Sequence, residues 1–181
     1  LDLIDEIDFS RLDSDVKGDL YEDLLNQIEA AGELGQFLTP RHIIRYMVTM
    51  VNPKIGETVF DPACGSGGFL LAVYEWIKLQ NSDAKLVEEY NTIKRGPGDK
   101  LSKKQWDFLQ NETFFGQDVD PEMNRLTLMN FFLHGLQESD INRKDTVAGA
   151  EDEEDLRRYD VVMTNPPFAG KVDKERIKKS L

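Results

Sequence analysis

The sequence predicts an α/β protein organised around a largely parallel sheet. Short apolar runs alternate with longer segments of helical periodicity, the arrangement expected of strands joined through helices. Two of the strand-like runs open onto marked loops, the first onto 61–68 and the last onto 164–168. With 181 residues, 40% of them apolar, the chain can bury one core of its own.

Residues 15–31 have the spacing of an amphipathic helix, with Leu20, Leu24, Leu25 and Ile28 on one face. A turn around Gly32 and Gly35 follows, and Thr39-Pro40 is a good helix start. Thr39 is expected to cap, and Pro40 suits the first helical position. That helix carries Ile43, Ile44, Met47, Val48 and Val51 and ends near Asn52. Residues 58–60 are a first strand, which runs through the 61–68 loop into an apolar helix from Phe69 to about Lys78.

Residues 80–111 are polar and broken by Gly96-Pro97-Gly98, so an insertion with some helix is expected there rather than a core element. Residues 113–117 are the second strand. Asp120-Pro121 starts a helix that reaches Leu133 and stops at Gly135. A weak third strand is expected at 145–147, a solvated acidic loop at 151–155, and a fourth strand at 159–163. The expected divisions are a helical segment 1–52, a main domain 53–170 and a basic tail 171–181. The start at Leu1 and the stop within a charged segment suggest a piece of a longer protein.

Composition excludes several classes. There is no run of 18 apolar residues for a membrane helix, and no basic stretch followed by an apolar one to serve as a secretory signal. A lone Cys64 excludes a disulfide framework, and His42 and His134 are too far apart to suggest a metal cluster. A cytoplasmic protein is expected. With 34 acids against 22 bases the net charge is −12. Proteins that hold nucleic acid alone present basic faces, so any DNA or RNA must be gripped mainly by something else.

Three stretches carry chemistry. In Asp61-Pro62-Ala63-Cys64-Gly65-Ser66-Gly67-Gly68 an acid ends a strand and three glycines lead into a helix. Glycines let a ligand approach the backbone, and a helix N-terminus favours an anion, which suits an adenosine cofactor bearing a carboxylate or a phosphate. Leu70 stands where a dinucleotide fingerprint needs Gly or Ala, and no phosphate-binding G-x-x-x-x-G-K-[ST] occurs. Asp118 closes the second strand, where an acid can bind both hydroxyls of a ribose. In Asn165-Pro166-Pro167-Phe168 two prolines end the fourth strand, since neither can donate to a ladder. They aim the Asn165 amide and a proline carbonyl at a common point, where both can accept hydrogens from one planar amino group. Phe168 offers a stacking face for a base taken out of its helix.

Together these motifs resemble the amino-methyltransferases that use S-adenosylmethionine to modify N6 of adenine in DNA, in the γ order of cofactor motif before catalytic motif. Gly35-Gln36-Phe37-Leu38-Thr39-Pro40-Arg41, Gly116-Gln117-Asp118 and the Asn130 to Gly135 helix end look most like the modification subunit of type I restriction-modification systems. The resemblance implies a Rossmann-like S-adenosylmethionine-dependent methyltransferase sheet, here incomplete at about four parallel strands and preceded by helices. It implies that Gln36, Phe37, Leu38, Thr39, Pro40, Arg41, Asp61, Gly65, Ser66, Gly67 and Gly68 line the methionine side of the cofactor. Asp118 would hold the ribose, in place of the more usual Glu, and Asp145 the cofactor adenine. Asn165 and Pro166, continued by Pro167, would hold the target amino group and Phe168 would stack on it. Implied partners are DNA, a specificity subunit shared by two modification subunits, and a nuclease subunit.

Asn-Pro-Pro turns also occur in enzymes that methylate guanine N2 in RNA or glutamine in proteins, and a non-catalytic subunit could keep the fold. The whole 35–41 pattern favours the restriction family over the first two. The joint presence of Asp61, Asp118 and Asn165 argues against the last. Cys64 is expected to pack rather than react. Trp76, Trp106 and the Phe pairs 114–115 and 131–132 are expected in the core.

Overall fold

A computed structural model describes residues 14–30, 38–90, 92–136, 139–143 and 157–166. Helices α1 (Ser14–Ala30) and α2 (Arg41–Val51) precede strand β1 (Val59–Asp61) and helix α3 (Gly68–Gln80). A small antiparallel pair, β2 (Glu88–Tyr90) and β3 (Ile93–Arg95), and helix α4 (Lys103–Asn111) follow. Then come β4 (Phe114–Asp118), α5 (Pro121–Leu133), β5 (Asp140–Arg143) and β6 (Val161–Val162).

The main sheet is parallel, in the order β5-β4-β1-β6. Its register sets Asp61 opposite Gly116 on one side of β1, and Phe60 opposite Val162 on the other. The chain therefore builds outward from β1 through β4 to β5, then returns to the opposite flank of β1 for β6. In open α/β sheets, ligands bind outside the carboxyl ends of the strands at such a reversal. Here that point is the end of β1.

Helix α3 is apolar on nearly every side and buries Phe69, Leu70, Leu71, Val73, Tyr74 and Ile77, as an internal helix must. Phe114 of β4 meets Tyr74 of α3 and Phe131 of α5 edge to face, with ring centroids 6.2 and 6.4 Å apart. Ile44 and Val48 of α2 join the same core, and Asn52 ends that helix in the left-handed conformation. The opposite face of the sheet is aromatic. Tyr159 stacks on Phe60 at 4.5 Å and leans on Phe115, over which the Arg157 guanidinium lies.

Several sequence expectations need correction. Thr39 does not cap α2: the cap position is Pro40, whose carbonyl accepts from the Ile43 and Ile44 N–H groups. The strand beside β4 is residues 140–143, while 145–147 lie outside the described residues, as do the acidic 151–155 loop and the basic tail. Residues 80–111 do reach the core, because Leu101 and Leu109 are buried in it. Within that segment Ser102 and Gln105 form a capping box that starts α4. Phe132 is exposed rather than core, and Leu20 and Leu24 on α1 face outward while Leu25 is buried. No helix among the described residues is long and apolar enough to cross a membrane.

Candidate active site

Asp61 is the last residue of β1 and is 1% exposed. Burial pushes its carboxyl up to about 6; the Thr164 side chain and the Ala63 N–H oppose this, and the Asp118 charge adds to it. Its Oδ1 accepts from the Ala63 N–H at 3.1 Å. The loop beyond is bound to β4 at two points. The Cys64 N–H donates to the Gln117 carbonyl at 2.9 Å, and the Gly65 N–H to Asp118 Oδ2 at 3.0 Å. The Gly67 N–H closes the turn on the Cys64 carbonyl at 2.8 Å. Gly65 and Gly67 hold φ of +52° and +82°, which favour glycine. Open space surrounds the position a Gly65 Cβ would take, whereas one at Gly67 would run into Phe131 and Thr127.

Asp118 ends β4 beside this loop, as its strand-end position predicts, and is nearly buried. Its second oxygen accepts from the Asp120 N–H at 2.9 Å. A carboxylate has about four acceptor sites, so capacity remains for two hydroxyls. Cys64 is buried and its thiol is pushed up to about 12, chiefly by burial, which leaves it an inert packing residue.

From the other flank of β1, β6 delivers Asn165 to the same end of the sheet. The Met163 N–H still donates to the Phe60 carbonyl, and two residues later the Asn165 Nδ2 donates to Thr39 Oγ1 at 2.9 Å. This bond joins two motifs 126 residues apart, the 35–41 segment and the Asn-Pro turn. Among the described residues, Asn165 Oδ1 accepts from no donor. Leu38 and Pro40 flank Thr39, and Arg41 lines a cleft with Gly68, Leu71 and Glu75 between α2 and α3. Gln36, Phe37, Asp145, Pro167 and Phe168 lie outside the described residues, while Ser66, Gly68 and Pro166 fall at this end of the sheet.

Sequence reasoning named Asn130 only within the helix-end resemblance and missed Asn124 and Thr127 of α5; all three hold this part of the site. The Thr127 hydroxyl donates to the Gly65 carbonyl at 2.5 Å, the Asn130 Nδ2 to the Ser66 carbonyl at 3.0 Å, and the Asn124 Nδ2 to the Asp118 carbonyl at 3.1 Å. The available signal was their spacing, since 124, 127 and 130 recur every three residues on one face of a helix whose only charged residues are Glu122 and Arg125. Polar residues on a core-facing stripe need partners.

A four-stranded parallel sheet with a glycine loop and strand-end acids at its reversal is the framework of the S-adenosylmethionine-dependent methyltransferases. Within that class the chain belongs to the N-6 DNA methylase family, whose family model matches residues 12–181. It is 32% identical over 168 residues to the type I restriction enzyme EcoEI methylase subunit of Escherichia coli, covering 92% of this chain and 30% of that protein. To the MjaIX methylase subunit of Methanocaldococcus jannaschii it is 33% identical over 156 residues, covering 85% of this chain and 23% of that one. Among solved structures, the type I restriction enzyme EcoKI M protein superposes with a TM-score of 0.61 at 30% identity, over 76% of this chain and 27% of that chain. A chain from a type I R-M system complex superposes at 0.68 with 34% identity, over 97% of this chain and 32% of its own. The chain thus spans about a third or less of the proteins it matches.

Proposed function

We propose that this chain forms the cofactor-binding and catalytic portion of an adenine-N6 DNA methyltransferase, the modification subunit of a type I restriction-modification system. The observation that carries this reading is the bond from Asn165 to Thr39, which joins the Asn-Pro turn to the 35–41 segment at the sheet's reversal. Cys64, the thiol of the loop, is buried and its pKa is pushed up to about 12, so it is no nucleophile. The chemistry the arrangement supports is direct transfer by positioning.

S-adenosylmethionine fits the residues present. Asp61 is a buried acid with no ion-pair partner among the described residues, suited to an ammonium group, and the space at Gly65 admits a ligand against the backbone. Asp118 retains acceptor sites for ribose hydroxyls. The cofactor would supply a methyl group activated by a sulfonium. Residues 36–41 would cover its methionine end, with Ser66, Gly67 and Gly68 beneath, and Asp145 would meet its adenine. Asn165 Oδ1 and the Pro166 carbonyl would accept the two hydrogens of the target amino group, drawing the nitrogen lone pair out of conjugation. Phe168, held by Pro167, would stack on the flipped base.

The relatives' names, methylase subunits of type I restriction enzymes, support a place in a multi-subunit assembly. In the assembly inferred here a specificity subunit would read the DNA, two modification subunits would attach to it, and a nuclease subunit would join. The expected compartment is the cytoplasm. The test uses the full-length subunit with its specificity partner and methyl-labelled S-adenosylmethionine, with DNA, RNA and protein offered together. N6-methyladenine in DNA is the expected product, abolished by Asn165→Ala. Label in RNA guanine or in protein glutamine would overturn the substrate assignment and keep the catalytic turn.

A further inference from the structure

We propose that Thr127 and Asn130 of α5 are positioning residues that set the shape of the 65–67 loop, and so govern cofactor affinity without touching the cofactor. This rests on reading the loop as an S-adenosylmethionine site. Both side chains are fully buried. They donate to consecutive carbonyls, Thr127 Oγ1 to Gly65 at 2.5 Å and Asn130 Nδ2 to Ser66 at 3.0 Å. In a trans peptide the N–H points opposite to the C=O. Drawing these two carbonyls toward α5 therefore turns the Ser66 and Gly67 N–H groups away from it.

The remaining loop amides are occupied. Ala63 donates to Asp61, Cys64 to Gln117, Gly65 to Asp118 and Gly67 to Cys64. Ser66 is left with the one N–H of residues 63–67 that has no acceptor among the described residues, and α5 fixes its direction. Gly67 confirms how closely the helix sits, since a Cβ there would meet Phe131 at 2.8 Å and Thr127 at 2.9 Å. Behind Asn130 the support continues. Its carbonyl accepts from the His134 N–H at 3.1 Å and lies 2.8 Å from His134 Nδ1. The His134 ring fills the place where Gly18 of α1 lacks a side chain.

Thr127→Val keeps the shape and removes the donor, and Thr127→Ser keeps the donor and removes a methyl. In the full-length subunit assembled with its specificity partner, cofactor binding is measured by calorimetry and turnover by methyl transfer. Losing the donor leaves a part-buried carbonyl unpaired and its direction unset, so Thr127→Val is expected to raise the cofactor Kd roughly ten- to a hundredfold. The cofactor KM should rise with it, kcat at saturating cofactor should change far less, and Thr127→Ser should recover most of the affinity. Thr127→Ala, which cannot overfill the core, replaces Val if that variant gives no melting transition, and Asn130→Ala repeats the test at the second carbonyl. Equal cofactor affinity in wild type and Thr127→Val, or equal losses in Val and Ser, would overturn the proposal and leave the cofactor site standing. A folded wild type that does not bind S-adenosylmethionine would overturn both.

Discussion

Asp61 carries a cost that its position explains. A carboxyl that titrates near 6 when folded and near 3.8 when unfolded binds its proton more tightly in the native state. Stability from this group is full below about pH 4 and is lost as pH rises through 6, amounting to roughly 3 kcal/mol. Asp61→Asn should therefore stabilise the fold above pH 6 relative to wild type, with the difference shrinking toward pH 4, while cofactor binding is lost. Chemical denaturation across pH 4–8 checks the first part and calorimetry the second. A stability difference that does not change with pH would sink the assignment. Thr39 makes a separate case. It does not cap α2, and beside the cofactor-covering role proposed for it its oxygen accepts from Asn165, whose own Oδ1 accepts from no donor among the described residues. Thr39→Val should lower kcat by roughly tenfold at saturating cofactor, with Thr39→Ser near wild type. A loss confined to cofactor KM would instead mean that Thr39 serves the cofactor and does not position Asn165.

At the scale of elements, legibility followed apolar density. Helix α3 was plain because most of its positions are apolar, and α5 because Asp120-Pro121 and Gly135 mark both ends; the Asp120 carboxylate does accept from the Glu122 N–H. Strand β5 was missed because its sequence, Asp-Ile-Asn-Arg, offers only Ile141 to the core and shows no alternation. Leu109 of α4 was missed because it is the single buried residue of a polar helix. The acids and glycines of the site stood out because strand ends are where ligands bind. Thr127, and the contact of Asn130 with the loop, stayed hidden because helical polar residues usually face water.

The contact of α1 with α5 gives a test at this scale. Gly18→Ala gains about 1 kcal/mol of helix propensity, but its new Cβ would collide with the buried His134 ring, at a cost of about 1–3 kcal/mol. Net destabilisation is expected. In a His134→Ala background the collision vanishes, so Gly18→Ala should become stabilising. A double-mutant cycle by denaturant unfolding reads this reversal, and unchanged sign would mean that the two helices do not meet as described.

At the scale of the whole molecule, shape and charge point to shared labour. Among the described residues the sheet has helices on one face and the Phe60, Phe115 and Tyr159 cluster on the other, and parallel sheets are ordinarily covered on both. The net charge of −12 opposes a polyanion, while the chemistry proposed for the 165–168 turn needs DNA within reach. Both facts agree with a catalytic portion that depends on surfaces supplied by the rest of the assembly. Non-specific DNA affinity comes mainly from phosphate neutralisation, with a salt slope that counts the phosphates contacted. The 181-residue chain alone should thus show no measurable DNA binding at ~100 μM protein in 150 mM salt, on the scale of non-specific affinities. The full assembly should bind with a steep salt slope that barely changes when acids on the exposed surface of this chain, such as Glu88 and Glu89, are neutralised. Fluorescence anisotropy with labelled duplex measures both. Micromolar binding by the isolated chain would place the DNA grip within these residues, and the basic tail at 171–179 would then be the first segment to truncate.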